Sequence, residues 1–64
     1  MMNYELRIYD KEEVIEAQSC DNATALIELI NLANRAFNGY RYEVRRDGKL
    51  IDDGVLDFPM EDNG

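Results

Sequence analysis

Three aspartates, Asp52, Asp53 and Asp57, and one glycine, Gly54, fall within the stretch LIDDGVLDFP at residues 50–59. Carboxylates so spaced can do three things. They can hold a hard cation, share a proton in acid–base work, or form an acidic face for a basic partner. A calcium loop needs alternating oxygen ligands and a closing glutamate, and this stretch has neither. Acid–base work needs a pocket that raises one carboxyl's pKa, and solvated surface acids fit the surrounding residues better.

Other residue types narrow the chemistry further. The chain has no histidine and one cysteine, Cys20. A Cys–His pair and a Ser-His-Asp triad are therefore excluded, and zinc is disfavoured. The glycines are scattered at turn positions rather than gathered into a phosphate-binding loop. Cys20 lies just ahead of a helix, where a thiolate can be stabilised, but a small, partly buried residue is the commoner use of that position. Tyr9 and Tyr42 could stack on bases, but their acidic surroundings oppose a nucleic-acid ligand. No catalytic activity, cofactor or metal is expected.

The elements that must position the acids can be read from periodicity. Tyr4, Leu6 and Ile8 alternate with Glu5, Arg7 and Tyr9, which predicts a half-buried strand. The polar break Asp10-Lys11-Glu12-Glu13 leads into a second strand, Val14 to Ser19. Pairing Tyr9 with Val14 sets Ile8 against Ile15, Leu6 against Ala17 and Tyr4 against Ser19. On the outer face Arg7 then meets Glu16.

Residues 21–38 predict a helix capped by Asp21 or Ser19 and stopped at Asn38-Gly39. Ala23, Leu26, Leu29, Ile30, Ala33 and Phe37 share its inner face. Ile27 and Leu32 flank that stripe and are expected to pack under the sheet edges, the other reading being a contact surface. A third strand, Tyr40 to Arg46, turns at Asp47-Gly48 into a fourth. Tyr40, Tyr42 and Val44 are expected to point inward. The pairing places Arg46 opposite Lys49, Arg45 opposite Leu50, Val44 opposite Ile51, Glu43 opposite Asp52 and Tyr42 opposite Asp53. An inward Asp53 should end the strand, because an unpaired carboxylate cannot go deep. Leu56 and Phe58 are expected to fold back and close the core beside Phe37.

The expectation is an α+β fold: a four-stranded antiparallel ββαββ sheet in the order 2-1-3-4, with one helix on one face. Residues 1–58 form the single domain, and residues 59–64 a flexible acidic tail. At 64 residues the core is one helix against one sheet, so a deep catalytic cleft is not expected. The lone cysteine points to a reducing, cytoplasmic compartment, and neither a signal peptide nor a membrane span is expected.

Fourteen acids against seven bases give a net charge of −7. Such a balance disfavours direct nucleic-acid binding and anionic membranes, and favours a basic partner. The topology collects Asp10, Glu12, Glu13, Asp52, Asp53 and Asp57 toward one end of the sheet, with Glu61 and Asp62 trailing and the helix C-terminus alongside. Arg45, Arg46 and Lys49 fall at the other end. These six acids are the candidate partner-binding residues.

In size, charge and architecture the chain resembles small acidic phage-encoded inhibitors of the anti-CRISPR type. The resemblance implies a non-enzymatic inhibitor that engages a basic, nucleic-acid-binding protein by imitating nucleic acid. The alternative is a small regulatory or antitoxin-like module, or a homodimer built through an edge strand, with Ile27, Leu32 and Leu50 as contacts.

Overall fold

Inward alternation of Tyr4, Leu6 and Ile8 makes the first strand the spine of the molecule, and all three side chains are buried. The computed structural model describes residues 2–59. It contains β1 (Tyr4–Asp10), β2 (Glu13–Cys20), α1 (Ala23–Ala36), β3 (Arg41–Arg46) and β4 (Lys49–Val55). The four strands form one antiparallel sheet in the order β2-β1-β3-β4, with α1 on one face, so the expected fold is the observed one.

Each hairpin corrects the expected register by a single residue. In the first, Tyr9 pairs with Val14, but Ile8 then pairs with Glu16, Leu6 with Gln18 and Tyr4 with Cys20. Ile15 is the extra residue of a bulge, which flips every later side chain to the other face. Cys20 thereby joins Tyr4 beside the core in place of Ser19. Arg7 lies opposite Ala17, not Glu16, and pairs with Glu5 on its own strand at 2.8 Å.

The second hairpin turns at Asp47 (φ 51°) and Gly48 (φ 85°), both in the left-handed region that this tight turn demands. Asp47 also ties the turn to β1: its Oδ1 accepts from the Asn3 amide at 3.0 Å, and its own amide donates to the Asn3 carbonyl at 2.9 Å. Arg46 pairs with Lys49 and Arg45 with Leu50, as expected, before a bulge at Ile51. Beyond it Val44 pairs with Asp52, Glu43 with Asp53 and Tyr42 with Gly54. Pairing therefore does not stop at Asp53. The bulge sends Asp53 outward and leaves Asp52 and Gly54 on the helix side, followed by Leu56, which is completely buried. The Asp52 carboxylate on that side stays exposed to solvent and accepts from the Tyr42 hydroxyl at 3.1 Å.

Helix α1 is capped by Asn22, not by Asp21 or Ser19; its Oδ1 accepts from the Ala25 amide at 2.7 Å. Asp21 instead accepts from the Asn22 side chain at 3.0 Å. Leu26 and Ala33 are buried, Leu29, Ile30 and Phe37 pack against them, and Ala23 is exposed. Gly39 takes its left-handed conformation (φ 95°) after the helix. Tyr40 lies just before β3, exposed, with its ring edge-to-face on Phe37.

One helix cannot cover four strands. Alpha-helix α1 lies over β1 and β2. The helix-side face of β3 and β4 is closed by the chain after β4. Leu56 exchanges backbone hydrogen bonds with Gly39 and Tyr40, and Phe58 sets its ring edge against Tyr42. Leu56 and Phe58 thus fold back as expected, with Tyr42 rather than Phe37 as the neighbour of Phe58. Ile27 (59% exposed) and Leu32 (60%) do not pack under the sheet edges. The core stripe of α1 is narrower than its apolar sequence, so both residues are left in solvent. The tail beyond Pro59, with Glu61 and Asp62, lies outside the described residues.

Candidate functional site

The six candidate acids fall into two groups. Asp10 and Glu13 form the last pair of the first hairpin, with Glu12 in the turn between them. All three are exposed, and like charges facing each other across strands repel unless a cation joins them. Asp52, Asp53 and Asp57 belong to the opposite edge, in β4 and just after it. Three strand spacings separate the two edges, about 14 Å. Asp52 lies on the helix side and Asp53 on the open face, so even these neighbours point apart. Both sit at mid-strand, level with Val44 and Glu43, rather than at the end of the sheet.

Basic side chains enter the end that the acids were expected to dominate. Tyr9, Asp10, Lys11, Tyr40, Arg41 and Val55 line a shallow hollow there. Arg41 lies over the Tyr9 ring at 4.5 Å, a cation–π contact.

The open face of the sheet holds the ion pairs, centred on Glu43, a residue that composition and spacing did not single out. The Tyr9 hydroxyl donates to its carboxylate at 2.8 Å, Arg45 Nη2 donates at 3.3 Å, and Arg41 Nη1 approaches to 3.7 Å. The Tyr9 hydrogen bond is the main reason that the Glu43 carboxyl sits below the usual carboxylate range. Partial desolvation opposes it, and Arg45 and Arg41 reinforce it. The signal was available in part: Tyr9, Arg41, Glu43 and Arg45 share the outward parity of adjacent strands. Arg45 Nε is buried there without a partner.

On the other face, burial foremost pushes the Tyr42 phenol above its ordinary pKa. The hydrogen bond to Asp52 and the charges of Asp53 and Asp57 add to the effect. Cys20 is a free, half-buried thiol whose Sγ lies 3.6 Å from the Asn22 carbonyl, which fits a structural role. Among the described residues, no three Cys, Asp or Glu side chains converge as metal ligands would. Among those same residues no helix is long and apolar enough to cross a membrane.

No protein-family model, no curated protein and no solved structure matches this chain.

Proposed function

We propose that this chain is a non-enzymatic inhibitory binding protein, acting in the cytoplasm, whose acidic margins engage the basic surface of a nucleic-acid-binding protein. One observation carries the reading: the partition of charge. Three ion pairs occupy Arg7, Arg41 and Arg45 but only two acids, Glu5 and Glu43, all on the open face. Asp10, Glu12, Glu13, Asp52, Asp53 and Asp57 have no ion-pair partner among the described residues. Unpaired acids thus stand at both margins, Glu12 and Glu13 at one and Asp52, Asp53 and Asp57 at the other. Three strand spacings, about 14 Å, separate the edge strand that carries Glu13 from the one that carries Asp52 and Asp53. Unpaired carboxylates at two margins suit a surface whose Lys and Arg side chains normally meet phosphates. Association would be fast, steered by charge and weakened by salt. Such a mimic inhibits by occupancy, as the resemblance to anti-CRISPR-type inhibitors implies.

The test is capture from a bacterial lysate at low and high salt, with DNA or RNA as competitor. The expected result is a nucleic-acid-binding protein released by salt and by competitor. It should be lost from variants carrying Glu12→Lys and Glu13→Lys, or Asp53→Lys and Asp57→Lys. Retention indifferent to both pairs of reversals overturns the reading.

A further inference from the structure

The outer surface of α1 carries a self-complementary pattern. Glu28 and Arg35 are seven residues apart, two helical turns or about 10.5 Å. They project from the same side of the helix and have no ion-pair partner among the described residues. Leu32 stands between them at 60% exposure, the most exposed large apolar side chain among the described residues. Glu28, Asn31, Leu32 and Arg35 line one shallow surface depression. Leu32 also rims an open groove of about 120 Å³ between α1 and β2, floored by Leu6, Ile8 and Phe37.

We infer that α1 is the docking face for a second copy of this chain, packed antiparallel about a twofold axis beside Leu32. In an antiparallel helix pair about a twofold, residues equidistant from the axis on its two sides face each other. A twofold between positions 31 and 32 therefore sets Glu28 of each copy against Arg35 of the other. It brings the two Leu32 side chains together at the centre. The contact is isologous, as a closed dimer requires. Two ion pairs fix its antiparallel sense, and a parallel arrangement in the same register would set like charges together. Pairing through the sheet edges is the poorer route. Both edge strands carry a bulge, at Ile15 and Ile51, and β2 presents Glu13 and Glu16.

Two helices of 14 residues form a contact at the low end of stable interfaces. The dimer is therefore weak and concentration-dependent. Its formation is independent of the acidic-margin reading, because a failed dimer leaves the charge partition unchanged.

Sedimentation from roughly 10 µM to roughly 1 mM, the range suited to so small an interface, tests the inference. Ionic strength of about 0.15 M screens the net repulsion between copies. The wild type should pass from monomer to dimer. Leu32→Glu should remain monomeric. Glu28→Arg and Arg35→Glu should each weaken the dimer by roughly tenfold or more, since each turns two attractions into two repulsions. Mixing these two variants should restore association, because each then supplies the charge the other lacks, and so should the double exchange within one chain. All three residues are exposed, so circular dichroism should report an unchanged fold. A monomer at every concentration overturns the inference. So does a dimer indifferent to Leu32→Glu and to the reversals, or one that mixing fails to restore.

Discussion

Asn34 grips the backbone of Phe58 with both ends of its amide. Nδ2 donates to the Phe58 carbonyl at 3.0 Å, and Oδ1 accepts from the Phe58 amide at 3.2 Å. The side chain thus imitates a neighbouring strand for a segment that has left the sheet. The pairing explains how a helix can bury an asparagine that is only 4% exposed. It also fixes the segment that covers Tyr42, so one polar residue in α1 completes the core over β3 and β4.

Asn34→Ala removes both bonds and leaves two backbone groups without partners in a partly buried place. The expected cost is about 1–3 kcal/mol, a drop in Tm of several degrees or more for so small a domain. Amide exchange at Phe58 should accelerate more than exchange in β1. Thermal denaturation and site-resolved exchange check this, and an unchanged Tm would show that the segment needs no such anchor.

Gly54 is the second point of close approach. A Cβ built there meets Cε1 of Tyr42 at 3.3 Å, and the residue holds φ at 157°. Gly54→Ala must shift the Tyr42 ring or the strand, in a backbone conformation that L residues rarely adopt. The expected destabilisation is about 1–3 kcal/mol. Urea unfolding measures it, and the Tyr42–Phe58 contact should loosen in parallel.

The alternation of Tyr4, Leu6 and Ile8 and the Asp47-Gly48 turn made the sheet legible, and with the helix between them the strand order followed. The bulges were not legible. An isoleucine at position 15 or 51 looks like an inward residue, since hydrophobic alternation assigns it to the core. What outweighs it at Ile51 is distant: the buried Leu56 and the Tyr42 hydroxyl, which bonds Asp52 on the helix side while Asp53 turns to the open face. Because a bulge reverses parity for all that follows, it also redistributed the candidate acids. Their number and their strands were evident in the sequence; the faces they occupy were not. The helix cap failed for a simpler reason, as Ser19, Asp21 and Asn22 all have the capping chemistry and only geometry chooses among them.

Tyr42 should be late to ionise. Burial, then the Asp52 hydrogen bond, raises its pKa. Its contribution to stability is therefore fully present below the ordinary tyrosine value of about 10 and is lost as pH rises through the higher folded value. Tyrosinate absorbance should show a phenol titrating above the ordinary tyrosine value of about 10, and Tyr42→Phe should abolish that late step. Asp52→Asn should move it back toward the ordinary value, because the neighbouring negative charge is gone. A Tyr42 phenol that titrates at the ordinary tyrosine value would contradict its burial and its bond to Asp52.

Glu43 contributes on the acid side. Its folded pKa lies below the ordinary carboxylate value, chiefly through the Tyr9 hydroxyl. Stability from this group is therefore present above the unfolded value of about 4.3 and is lost as pH falls through the depressed folded value. Glu43→Gln should flatten that part of the acid limb. Tyr9→Phe should remove the larger share of the effect and leave Arg45 and Arg41 to supply the remainder. Urea unfolding measured from neutral pH down through the acid limb reads these slopes. If Glu43→Gln and wild type lose stability in parallel, the open-face network does not hold the carboxylate in its charged form.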